Sequence, residues 1–367
     1  MKPKLLIGLF VPLLLAGCGR TAPTPSGGEI VTVSPDRTEV VRWDDFVTGI
    51  EFVAPETSDS SLLNQFVDLR LAGERMYVSC KGTILAYDRS GRLLSTFRRQ
   101  GRGPGEYAAI SDFRIEENGG MLLLDPMNRR LLRYDAAGNC LGSVRTEYAP
   151  RSFALLDDTT LVAVAGYFEP GDLFHFHDRR DLAHRSSRMP QSRRKGEYCH
   201  FARQHGFFRH RGRLLYTEAA SCSILELTAD SVAEHYRLTS DHFPPDDFFE
   251  GSYDNVRHFM QQLEKYAYAI PGGTGAAGDR YLLLSFSGSA RARYCFYDTA
   301  THACHGFREI GLDDSVRISR FTIVSAGGDR IALVIPADEL SGKRIGGRSF
   351  SDLKEDDNPV VCLGRLR

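Results

Sequence analysis

Thr83-Ile84-Leu85-Ala86-Tyr87-Asp88-Arg89-Ser90-Gly91-Arg92-Leu93-Leu94 returns later in the chain as Arg130-Leu131-Leu132-Arg133-Tyr134-Asp135-Ala136-Ala137-Gly138-Asn139-Cys140-Leu141, with 47 residues separating Tyr87 from Tyr134. In each copy a β-rich run ends at Tyr-Asp, a glycine follows three residues on, and a second run begins. Aspartate and glycine supply the turn chemistry, so each copy predicts a hairpin. Weaker echoes lie at 174–178, 224–230 and 294–299. A further strand pair precedes the phrase, as in Phe113-Arg114-Ile115 and then Met121-Leu122-Leu123-Leu124. Four strands per unit, repeating every 40–50 residues or so, predict an all-β propeller rather than a sandwich or barrel.

Setting aside a tether and one helical insertion leaves room for six blades of about 50 residues each. Both chain ends are expected to complete the sixth blade. Val360-Val361-Cys362-Leu363-Gly364-Arg365-Leu366 would be its third strand and Glu39-Val40-Val41-Arg42-Trp43 its outermost one. Residues 36–367 then form one domain. Residues 254–267 carry Val256, Phe259, Met260, Leu263 and Ala267 at helical spacing, which predicts a helix packed on the blades or serving as a lid.

The start of the chain concerns location. Lys2 and Lys4 precede an apolar run too short to span a bilayer, so residues 1–17 read as a secretory signal. Leu15-Ala16-Gly17-Cys18 resembles a bacterial lipobox, which implies lipidation of Cys18 and stable anchoring by several acyl chains. Gly19 in place of aspartate implies the outer membrane, facing the periplasm. Without residues 1–17 the chain has 44 basic and 47 acidic residues, formally −3, and no global field that would attract nucleic acid. Residues 18–35 are expected to be a flexible tether that contributes nothing to folding, because 19–29 are rich in Pro, Gly, Ser and Thr.

A family resemblance rests on particular phrases. Asp125-Pro126-Met127-Asn128-Arg129-Arg130, followed by Tyr134-Asp135-Ala136-Ala137-Gly138, resembles an NHL-type propeller repeat. Arg98-Arg99-Gln100-Gly101-Arg102-Gly103-Pro104-Gly105-Glu106-Tyr107 and the ending Glu355-Asp356-Asp357-Asn358-Pro359-Val360-Val361 are similar to phrases of the six-bladed β-propeller lipoproteins common in Bacteroidetes. The resemblance implies fold and compartment, and little biochemical role comes with it.

Candidate chemistry is sparse. Gly101-Arg102-Gly103-Pro104-Gly105 leads into a β-like run rather than a helix, so it predicts a shaped connector and not a phosphate cradle. His175 and His177 share a strand face but lack an identifiable third ligand, so no metal or other cofactor is expected. No nucleophile elbow is present. Seven cysteines follow Cys18 without any C-x-x-C pair. Aligning Tyr297-Asp298 with Tyr87-Asp88 gives a four-residue turn and puts Cys295 opposite Cys304, a candidate disulfide.

The long connections fall on one propeller face, leaving short hairpins on the other. Connections carry function more often than scaffold turns do. That places the ligand among Arg98, Arg99, Arg102, Glu106, Tyr107, Arg193, Arg194 and Lys195. A binding or scaffold module is thus favoured, taking a polar or anionic ligand (glycan, peptide or lipid headgroup) or a protein partner. The alternative is a metal-dependent propeller hydrolase or lyase acting at the central channel.

Overall fold

The two quoted phrases form matching hairpins in the computed structural model, which describes residues 27–63, 66–191 and 206–367. Strand Thr83–Tyr87 turns into Leu93–Phe97, and Arg130–Tyr134 into Cys140–Arg145. The aspartate makes both turns. Asp88 Oδ1 accepts the Ser90 and Arg92 amides at 2.9 and 3.0 Å, and Asp135 Oδ1 accepts that of Asn139 at 2.8 Å. Gly91 and Gly138, at φ 92° and 82°, take the left-handed conformation that closes each turn.

Each hairpin is the outer half of a four-stranded antiparallel sheet. Blade 1 begins with Phe66–Ala72 and Arg75–Cys80, and blade 2 with Asp112–Ile115 and Met121–Asp125. Blade 3 runs Pro150–Leu155, Thr160–Ala165, Asp172–Asp178, His184–Pro190. Blade 4 runs Phe207–His210, Arg213–Tyr216, Ser223–Leu227, Val232–Thr239. Blade 5 runs Ala269–Ala277, Tyr281–Gly288, Tyr294–Asp298, Cys304–Phe307. Blade 6 joins Thr322–Gly327 and Arg330–Ile335 to the C-terminal Val360–Leu366, with Val47–Val53 outermost. First strands adjoin from blade 1 through blade 3 and from blade 4 through blade 6, and that of blade 6 returns to blade 1. Burial is greatest between the sheets, as in the Trp43, Phe46, Phe296, Phe307 and Phe321 cluster.

Two expectations about this architecture need correction. Seven sheets of three or more strands are present among the described residues, not six. The additional one is small: Val41–Arg42 pairs in parallel with Ile310–Gly311, which pairs with Arg317–Ile318. Val41, Ile310 and Ile318 are buried against Trp43 and Phe46, so apolar burial holds a sheet only two residues deep. That pairing also uses the residues expected to be the outer strand of blade 6. The chain makes one helical turn at Trp43–Phe46, and Val47–Val53 supplies the strand instead.

The expected tether, 18–35, is structured from its C-terminal part onward. Glu29–Thr32 adds a parallel fifth strand to blade 4, against Tyr236 to Thr239. Val31 and Val33 are buried in the core between blades 4 and 5. The signal segment 1–17 and Cys18 lie outside the described residues.

The predicted helix forms at Val256–Lys265, capped by the Asn255 side chain, which accepts the His258 amide at 3.0 Å. Phe259 and Leu263 are buried against Phe248, Phe249 and Ile270, so the stripe packs on the propeller. The chain's closure is pinned by one buried side chain. Asn358 Oδ1 accepts the Leu63 amide at 2.7 Å, and its Nδ2 donates to the Glu56 and Ser61 carbonyls. Asn358→Ala is therefore expected to cost about 2–3 kcal/mol by leaving the Leu63 amide unmet, while the Glu56 and Ser61 carbonyls keep the Ser61 and Tyr87 hydroxyls. Urea denaturation checks it, and a loss below about 0.5 kcal/mol, the size of an ordinary surface change, would contradict the assignment.

Candidate ligand site at the propeller axis

The Gly-rich connector is built by the residues expected to bind ligand. Glu106 accepts the Gly103 amide at 2.7 Å, and a side chain at Gly101 would collide with the Glu106 carboxylate. Tyr107 is fully buried; its hydroxyl donates to the Gly82 carbonyl at 2.8 Å and accepts the Arg99 amide at 3.1 Å. Burial raises its phenol pKa. Glu106 and Tyr107 thus shape the loop, while Arg98, Arg99 and Arg102 are exposed upon it. Arg193, Arg194 and Lys195 lie outside the described residues.

A cavity of about 380 Å³ lies elsewhere, among the first strands of blades 1, 2, 3, 4 and 6. Arg70, Arg114, Phe153, Leu155 and Arg209 line it, with Glu116, Glu117, Asp157 and Asp158 from the turns that follow the strands. Those turns, and Arg179 from the outer hairpin of blade 3, belong to the face of short hairpins. The described residues expected to bind ligand, Arg98, Arg99, Arg102, Glu106 and Tyr107, do not line this cavity. The cavity is thus at the opposite face from the connector that carries Arg98, Arg99 and Arg102.

Its inner wall is an ionic network. Arg70 donates to Asp68 at 2.6 Å and to Asp112 Oδ1 at 2.9 Å. Asp112 also accepts the Phe113 amide at 2.7 Å and, through Oδ2, the Phe153 amide at 2.9 Å. One carboxylate therefore joins blades 1, 2 and 3. Arg209 donates to the carbonyls of Leu155, Leu156 and Gly212 and makes no ion pair among the described residues. Glu116 pairs with Arg133 at 3.3 Å.

Arg114 differs from its neighbours. Its Nε is sealed from solvent without a hydrogen-bond partner, and no ion pair reaches it among the described residues. Burial, with Arg70 and Arg209 beside it, lowers its pKa to about 10 against the opposing pull of Asp112 and Asp68, so it stays charged at neutral pH. Sequence reasoning placed Phe113-Arg114-Ile115 on a strand but gave the arginine no role. The available signal was a cation between apolar neighbours on an axial strand.

The histidines are committed to the fold. His177 Nδ1 bonds the Leu182 carbonyl at 2.9 Å and Nε2 the Tyr148 hydroxyl at 2.7 Å, while His175 stacks on Tyr148. No group of three or more His, Cys, Asp or Glu is placed to hold a metal among the described residues. Burial lowers the His177 pKa from 6.5 to about 4. The unfolded chain then takes up a proton before the folded one does. Stability from this site is complete above about pH 6.5 and falls as pH drops towards 4, by about 3 kcal/mol at most. Urea denaturation across this range should show the loss, and His177→Gln should flatten it. A wild-type protein equally stable at pH 6.5 and 4.5 would contradict this.

The Cys295–Cys304 expectation meets a different register. Tyr297 pairs with Cys304 and Cys295 with Gly306, because six residues rather than four form the turn, closed by the Asp298 amide on the Ala303 carbonyl. The cysteines are diagonal neighbours and both are free thiols. The hydrogen bond from Cys295 lowers the Cys304 pKa, whereas burial raises that of Cys295. Iodoacetamide should therefore label Cys304 before Cys295, as read by peptide mapping. Faster labelling of Cys295 would contradict this order.

Comparison with known proteins gives a family and a fold. A family model described as a domain of unknown function, DUF4934, matches residues 30–365. No curated protein matches the chain. An exported-protein candidate of Bacteroides fragilis NCTC 9343 has a similar structure, with TM-score 0.71 and 14% identity over 92% of this chain and 99% of that one. A DUF4221 family member from Bacteroides vulgatus ATCC 8482 has TM-score 0.53 and 10% identity over 91% and 99% of the two chains. At such identities the likeness concerns the fold alone, an all-β propeller.

Proposed function

The chain belongs to the DUF4934 family, and from that footing we propose that it is a binding module of the cell envelope whose ligand enters the axial cavity. The observation that carries this reading is the cavity itself, walled by first strands, with Arg114 on that wall making no hydrogen bond or ion pair among the described residues. The ligand is polar or anionic: a glycan, a peptide or a lipid headgroup, presented free or on a protein partner. Export is supported by the residue 1–17 signal pattern, and tethering to the outer membrane, facing the periplasm, by Leu15-Ala16-Gly17-Cys18.

Native mass spectrometry of the full-length protein extracted from membranes tests the binding reading. The wild type should carry a small-molecule adduct that is absent from Ser325→Trp, which places an indole in the cavity. The same adduct on both proteins would contradict it. Labelled palmitate should enter the wild type and not Cys18→Ala.

A further inference from the structure

We propose that Arg114 is the receptor for a single oxyanion of the ligand, a carboxylate or a phosphate group, which it grips through both arms of its guanidinium. This rests on the axial cavity being the ligand site. A cation removed from water costs several kcal/mol unless it is paired, and buried charges ordinarily are. Arg114 is part-buried with a sealed Nε, makes no hydrogen bond or ion pair among the described residues, and receives only partial compensation from Asp112 and Asp68 nearby.

The nearby acids are already engaged. Asp112 has both oxygens filled by Arg70 and two backbone amides, Asp68 holds Arg70 through Oδ1, and Glu116 pairs with Arg133. Glu117, Asp157 and Asp158 are exposed at the turns, and Asp157 accepts the Thr159 and Thr160 amides through Oδ1. The missing partner is therefore an anion from outside the protein.

Arginine suits that task because its planar fork matches a carboxylate or phosphate edge with two parallel hydrogen bonds. Arg209, which bonds only carbonyls among the described residues, adds positive charge to the same space, whereas the charge of Arg70 is offset by Asp68 and Asp112. Glu117 and Asp158 near the opening oppose a polyanion, so the remainder of the ligand is neutral or cationic.

The full chain is tested by thermal melting with sodium phosphate or sodium acetate, each against sodium chloride of equal ionic strength. The wild type should gain stability in a saturable manner from at least one anion, and the stronger of the two arms separates phosphate from carboxylate recognition. Arg114→Met should melt at or above the ligand-free wild type, by up to about 2 °C, since an unpaired buried charge is removed. It should also lose the saturable response. Arg114→Lys, which keeps the charge but not the fork, should respond with a midpoint raised about tenfold.

Three results would overturn the proposal. They are a wild type indifferent to both anions, Arg114→Met responding with the wild-type midpoint, and Arg114→Met melting several degrees lower, as a purely structural arginine would. If Ser325→Trp abolishes the response while Arg114→Met retains it, the cavity binds ligand without Arg114 and only this inference fails. If neither variant changes the response, the cavity reading fails as well.

Discussion

Asp112→Ala should lower the free energy of unfolding by about 3–5 kcal/mol, the usual cost of removing one member of a buried ionic network. The side chain is almost wholly buried and serves three blades at once, through Arg70, the Phe113 amide and the Phe153 amide. Alanine would leave two buried amides without this acceptor and Arg70 with Asp68 as its remaining carboxylate. Asp112→Asn, which keeps an acceptor oxygen, should lose less. Urea denaturation monitored by tryptophan fluorescence and circular dichroism reads the difference. A loss under about 1 kcal/mol, the median of ordinary substitutions, would show that the network does not tie the first strands together.

A chain beginning at Ser34 should also be destabilised, by about 3–5 kcal/mol, because Val31 and Val33 are each fully buried apolar side chains. The figure is an upper estimate, since an unfolded chain already hides part of that surface. The loss also removes the fifth strand of blade 4 and the hydrogen bond from the Val33 amide to the Thr239 carbonyl, 2.9 Å long. Melting of the two proteins side by side decides the matter. Equal midpoints would mean that these residues are a tether after all, and a chain beginning at Gly27 should behave like the complete mature protein.

That second case shows how sequence can mislead. Composition through Glu29 is that of a linker, and the four residues Ile30-Val31-Thr32-Val33 are too few for periodicity to declare a strand. They become one because blade 4 offers an open outer edge. The same limit hid the three-stranded sheet, whose strands are two residues long, and shifted the Cys295–Cys304 register, where a six-residue turn replaced the four-residue turn of the Tyr87 hairpin alignment. By contrast, the Asp-x-x-Gly turns, the closing strand Val360–Leu366 and the stripe of Val256–Lys265 were legible, because each repeats a local rule over enough residues.

The site was harder to read for a different reason. Arg133, in Leu132-Arg133-Tyr134, and Arg114, in Phe113-Arg114-Ile115, have the same local pattern. One is paired with Glu116 and the other makes no hydrogen bond or ion pair among the described residues, a difference set by strands distant in sequence. The cluster at Arg98, Arg99 and Arg102 stood out by density, yet the structure places it on an exposed connector whose shape depends on Glu106 and Tyr107.

The most direct measurement is a crystal structure of the wild-type protein soaked in sodium selenate, read through the anomalous signal of selenium. A peak is expected in the axial cavity within hydrogen-bond reach of the Arg114 guanidinium, and none there in Arg114→Met crystals. An empty cavity, with selenate only at the connector that carries Arg98, Arg99 and Arg102, would contradict it.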